Sequence, residues 1–107
     1  MNIIWSDLAK DDIREIYNYY KVTASKRVAE SIVENILLAT KKLAKHKEIG
    51  KIEENKSVEG RGYRFLVSGV YKIVYRCVDS KTILIASVFD CRQNPDKLII
   101  PSYKILT

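Results

Sequence analysis

A chain of 107 residues, 47% hydrophobic and 30% charged, makes one ordinary globular domain (residues 1–107) rather than a disordered segment. No apolar run approaches the roughly 18 residues that span a bilayer, so no membrane role is expected. Nineteen Lys and Arg against thirteen Asp and Glu leave a formal charge of +6, which favours an acidic protein or a nucleic acid as partner without identifying either.

The opening MNIIWSD has no basic region ahead of an apolar one, so a secretory signal is not expected. Cys77 and Cys91 then read as reduced thiols of a cytoplasmic protein, packed as small buried hydrophobes. Asn2 to Trp5 is apolar and β-prone and predicts a first strand. Ser6 stands where an N-cap belongs, with Asp7 in the first turn. Ala9, Ile13, Ile16, Tyr17 and Tyr20 recur at helical spacing and predict a helix of about four turns. After a break at Lys21 to Ala24, Ser25 caps a longer amphipathic helix marked by Ala29, Ile32, Val33, Ile36, Leu37, Leu43 and Ala44. Gly50 is placed to stop it. So short a connection makes the two helices an antiparallel hairpin.

Lys51 to Gly62 lacks either period and predicts a loop with a short extended piece around Ile52. Three strands follow, at about Tyr63 to Val67, Val70 to Val78 and Thr82 to Phe89, joined by turns at Ser68-Gly69 and Asp79-Ser80-Lys81. Pro95 ends the regular structure, and Pro101 keeps the tail from forming a long helix. The order β-α-α-β-β-β implies an α+β fold: an antiparallel helical hairpin packed on one face of a small, mainly antiparallel sheet.

Side chains alternate along a strand, so the central strand sorts by parity. Tyr71, Ile73, Tyr75 and Cys77 form the uncharged, core-facing set. Lys72 and Arg76 stand on the opposite face, which the helices leave uncovered. Arg64 joins that patch if the register allows, and Arg92 approaches from the end of the sheet. Arg64, Lys72, Arg76 and Arg92 are therefore the candidate binding face. Tyr63, Tyr71 and Tyr75 read as packing residues rather than stacking platforms.

His46 is the lone histidine, expected to be solvated or capping near the end of the second helix. No cofactor or metal is expected, because the chain has no Cys-x-x-Cys, no second histidine and no phosphate-cradling glycine motif. The acids Asp11-Asp12 and Glu53-Glu54 read as solvated. One catalytic option is a metal-free ribonuclease in which Arg64, Lys72 and Arg92 stabilise a pentacoordinate phosphate. Its nearest tail aromatic is Tyr103.

The segments WSDLAKDDIREIYNYY, LAKHKEIGK, GYRFLVSGVYKIVYRCV and ILIASVFDCRQNP, in that order and over nearly the whole chain, resemble the RelE/ParE superfamily. These are toxins of type II toxin–antitoxin modules, also called plasmid stabilisation proteins. Lys47 stands where that family commonly has proline. The resemblance implies one of two activities. RelE-like members are ribosome-dependent, metal-independent mRNA endoribonucleases, and for them Lys72 matches a catalytic arginine, Arg92 a second arginine, and Arg64 falls near a basic pair. Leu98 occupies approximately the place of their catalytic tyrosine, and Lys at 72 lacks the planar fork of arginine. ParE-like members poison DNA gyrase instead. The pattern YR…SG…YR from Tyr63 to Arg76, the AKH…G helix end and A-x-x-D-I-x-x-I-x-x-Y look more like ParE. The implied partners are a cognate antitoxin, which docks on the hairpin–sheet groove or a strand edge in a toxin–antitoxin heteromer, and DNA gyrase, with ribosome and mRNA as the alternative.

Overall fold

A computed structural model describes residues 1–55 and 61–100; Pro101, Tyr103 and part of the predicted 51–62 loop lie outside the described residues. The elements are β1 (Asn2–Trp5), α1 (Asp7–Thr23), α2 (Lys26–Lys41), β2 (Lys51–Ile52), β3 (Arg64–Ser68), β4 (Tyr71–Cys77) and β5 (Thr82–Asp90). Single 3-10 turns lie at Lys42–Ala44 and Pro95–Lys97. This is the predicted order, with the extended piece at Ile52 realised as the edge strand β2. The sheet runs β1-β5-β4-β3-β2, with β1 parallel to β5 and every other pair antiparallel.

Both predicted caps form. The Ser6 hydroxyl accepts the Ala9 N–H at 3.0 Å, and the Ser25 hydroxyl accepts the Val28 N–H at 3.1 Å. Each satisfies a backbone donor that the first helical turn leaves open. Ser6 also donates to the Ala86 carbonyl at 2.9 Å, which ties the start of α1 to β5.

Two boundaries differ from the sequence reading. Helix α1 continues through Thr23, because nothing at Lys21 to Thr23 stops the helical hydrogen bonding until the Ala24 N–H closes on the Tyr20 carbonyl. Helix α2 ends at Lys41, so Leu43 and Ala44 belong to a 3-10 turn, and Gly50 lies nine residues beyond the helix. Gly50 is needed for space instead. A Cβ there would meet the Tyr75 hydroxyl at 2.6 Å and the Phe65 carbonyl oxygen at 2.7 Å.

The hairpin packs on one sheet face as expected. Ala9, Ile16, Ile36 and Leu43 meet Tyr71, Ile73, Tyr75, Ile83, Ile85 and Val88 in the main core. Tyr63, Tyr71 and Tyr75 are all buried packing residues. Leu37 is 41% exposed, because its position on α2 turns it away from the sheet that buries Ile36.

The face away from the helices carries a second core, which the sequence reading did not foresee. Val74 and Ala86 are fully buried there beneath Tyr63, Leu98 and Ile100. Leu98 and Ile100, after the Pro95–Lys97 turn, supply the cover that neither α1 nor α2 gives to this face. The cysteines are a further correction: Cys77 and Cys91 are exposed free thiols, since both lie at strand ends beyond either core.

Candidate functional site

The four basic residues occupy three different surroundings. Register decides this, because Arg64 pairs with Tyr75 across β3 and β4 while Lys72 pairs with Val67. Cross-strand partners share a face, so Arg64 lies on the helix-facing side with Tyr75 and Leu66. It does not join Lys72 and Arg76. Its guanidinium donates to the Gly50 carbonyl at 3.0 Å, at the segment that follows the 3-10 turn of residues 42–44.

Lys72 and Arg76 do share the opposite face, and neither is a solvated charge. The Lys72 ammonium sits 2.8 Å from a carboxylate oxygen of Glu53, with the two side chains only 23% and 4% exposed. It also lies over the Phe65 ring, 4.4 Å from the centroid. Arg76 stacks over the Tyr63 ring at 5.6 Å, and Arg61 approaches the same ring at 5.3 Å. The Nε of Arg76 is buried and makes no hydrogen bond.

Arg92 follows β5 on an exposed turn. Its Nε and a terminal nitrogen bridge both oxygens of Asp90, at 3.0 and 2.8 Å. This two-point pairing holds the Asp90 carboxyl below the usual carboxylate range, with burial opposing it. Arg92 also borders a cleft of about 610 Å³ between α1 and the end of β5. Asp12, Glu15, Tyr19, Tyr71 and Asp90 line the same cleft. The Tyr71 hydroxyl donates to that of Tyr20 at 3.3 Å, and burial together with this bond raises the Tyr71 pKa.

Two acids expected to be solvated have structural partners. One oxygen of Asp12 accepts the Val88 N–H at 2.9 Å and the Ser87 hydroxyl at 3.2 Å, where β5 departs from regular register. Burial nonetheless raises the Asp12 pKa, with the Glu15 and Asp11 charges adding to the effect and the two hydrogen bonds opposing it. Glu53 is the other, buried against Lys72 and accepting the Asn55 N–H at 3.1 Å. No pattern of spacing distinguishes these acids from Asp11 and Glu54. The one available signal is the extended piece at Ile52, which forces Glu53 and Glu54 onto opposite sides of the chain.

Chemically, the arrangement offers cations already engaged: Lys72 and Arg92 by carboxylates, Arg76 by an aromatic ring and Arg64 by a backbone carbonyl. His46 is exposed in the turn after α2. Among the described residues, no group of three His, Cys, Asp or Glu side chains is disposed to hold a metal ion, and no helix is long and apolar enough to cross a membrane. The buried Leu98, 2% exposed, is committed to the second core.

Residues 3–95 match the sequence model of a family described as the ParE toxin of type II toxin-antitoxin system, parDE. Among solved structures, a chain of the chromosomal ParDE TA system from P. aeruginosa has the same fold, with a TM-score of 0.70. The two are 24% identical, over 84% of this chain and 95% of that one. No curated protein matches the chain.

Proposed function

The chain belongs to the ParE toxin family of type II toxin–antitoxin systems, and on that premise we propose that it poisons DNA gyrase and is neutralised by a cognate antitoxin in a cytoplasmic heteromer. The family match over residues 3–95 carries this reading. In it the toxin acts by binding and performs no chemical step of its own. Arg64, Lys72, Arg76 and Arg92 contribute contact surface, steered toward acidic partners by the net charge of +6.

The placement of the basic residues supports a binding role over the ribonuclease alternative. A phosphate-transfer site needs its cations converged on one point, preorganised for the charge that develops there. Here Arg64 lies across the sheet from Lys72, and both Lys72 and Arg92 are paired with carboxylates.

Purified toxin added to gyrase, relaxed plasmid and ATP tests the reading. The expected result is loss of supercoiling with accumulation of linear, gyrase-linked DNA, reversed by the antitoxin. Unimpaired supercoiling, together with discrete mRNA cuts on induced expression that Lys72→Ala or Arg92→Ala abolishes, would establish the nuclease instead.

A further inference from the structure

The ion pair between Glu53 and Lys72 stands between two cavities. One, of about 540 Å³, opens at the sheet edge beside Lys51, Ile52 and Phe65. The other, of about 220 Å³, lies beside Phe89, Cys91 and Leu98. Glu53 and Lys72 are the two residues that line both. Their bridge is common to both linings, which is where an outward swing of the Glu53 side chain would join the cavities into one groove. Phe65 and Phe89, on the strands either side of β4, would flank Lys72 in that groove.

We propose that Lys72 is a carboxylate-binding site that Glu53 keeps closed, and that an acidic segment of a partner protein opens it by taking the place of Glu53. The chain itself supplies the first argument, since a carboxylate already occupies the site at 2.8 Å. Exchange of like for like is the second. A buried ion pair is near balance between desolvation and attraction, whereas a buried cation left alone is strongly disfavoured. Lys72 is only partly exposed, at 23%, so displacement of Glu53 is favoured for a ligand that brings its own anion.

The surroundings narrow the occupant further. Phe65, Phe89, Leu98 and the 65%-exposed Ile52 form apolar walls, which suit alternating acidic and aliphatic side chains on an extended peptide. A polyphosphate backbone would set its charges against Glu54 at the rim and leave these walls without apolar cover. Strand β2 is the edge of the sheet, so among the described residues no further strand pairs alongside it at the groove mouth. This inference concerns binding alone and does not depend on gyrase being the target.

The test is fluorescence anisotropy of the purified chain with a labelled peptide of alternating Glu and Leu. The same peptide with Gln for Glu and a single-stranded oligonucleotide of equal charge serve as comparators. Glu53→Gln is expected to bind the Glu peptide about tenfold more tightly than the native chain, about 1.4 kcal/mol, with no gain for the Gln peptide. Adding Lys72→Met to Glu53→Gln is expected to abolish the gain. In the native chain, saturating Glu peptide is expected to shift the Glu53 side-chain carboxylate carbon in NMR, a readout that survives failure of either variant to fold. An unmoved Glu53 resonance at saturation, a gain that persists without Lys72, or a larger gain for the oligonucleotide would each overturn the proposal.

Discussion

The Tyr75 hydroxyl and the Gly50 backbone are in contact, the hydroxyl accepting the Gly50 N–H at 3.0 Å and donating to the Lys47 carbonyl at 2.9 Å. This one buried group fastens the segment after α2 to the central strand. Gly50→Ala would drive a methyl against that hydroxyl and against the Phe65 carbonyl, a strand atom with no freedom to retreat. The expected loss is about 1–3 kcal/mol. Tyr75→Phe, which strips two hydrogen bonds, is expected to cost about 1–3 kcal/mol as well. Because the clash and the bonds share one atom, the double variant should lose less than the sum. Urea denaturation of all four proteins decides it, and strict additivity would show that the two residues act independently.

Ser6 and Ser25 cap their helices in the same way, but in different surroundings. Ser6 is 6% exposed and bonds to β5 as well as to its own helix, whereas the Ser25 bond is exposed. Ser6→Ala is expected to cost about 2 kcal/mol, at the upper end for a lost cap, because it also leaves the Ala86 carbonyl without this donor. Ser25→Ala should cost about 0.5–1 kcal/mol. Equal losses in thermal unfolding would mean that the β5 bond contributes nothing.

Lys72→Met leaves the Glu53 carboxylate buried opposite a thioether. The expected destabilisation is about 3–5 kcal/mol, a large part of the 5–15 kcal/mol typical of a domain. Combining it with Glu53→Gln should recover most of the loss, since no uncompensated charge then remains inside. A double variant as unstable as Lys72→Met alone would show that lysine's packing over Phe65, not the charge pair, is what the fold uses.

Asp12 and Asp90 should act on acid stability in opposite senses. Asp12 has a folded pKa above its ordinary 3.8, so its contribution is full below that value and is lost as pH rises through the raised one. Asp90 has a folded pKa below 3.8, so its contribution is present above that value and is lost as pH falls through the lowered one. In melting temperatures taken from about pH 2 to 7, Asp12→Asn should remove a decline on the rising side and Asp90→Asn a decline on the acid side. Identical profiles for the two variants would contradict both assignments.

Much of the architecture was legible because it rests on local physics. Ser6 and Ser25 announce helices through a hydroxyl that only a helix start can use so well. The stripes from Ala9 to Tyr20 and from Ala29 to Ile36 give the period of a helix, and the alternation from Tyr71 to Cys77 gives that of a strand. What failed at Leu43, Ala44 and Gly50 was the reading of a glycine as a stop. Its requirement is the room it leaves for Tyr75, twenty-five residues away. The candidate site was less legible for the same reason. Parity placed Lys72 and Arg76 on one face of their own strand, but only the pairing of Arg64 with Tyr75 could put Arg64 on the other.

By itself, then, the sequence determined the order of elements, the helix starts, the core face of β4 and the resemblance that led to the toxin family, since each is written in near neighbours. The tertiary structure alone decided what the basic strip from Arg64 to Arg92 is. Charge is a property of a residue, but whether that charge is free depends on what the fold brings beside it. Glu53 reaches Lys72 from nineteen positions back, Tyr63 lies under Arg76, and Asp90 claims Arg92.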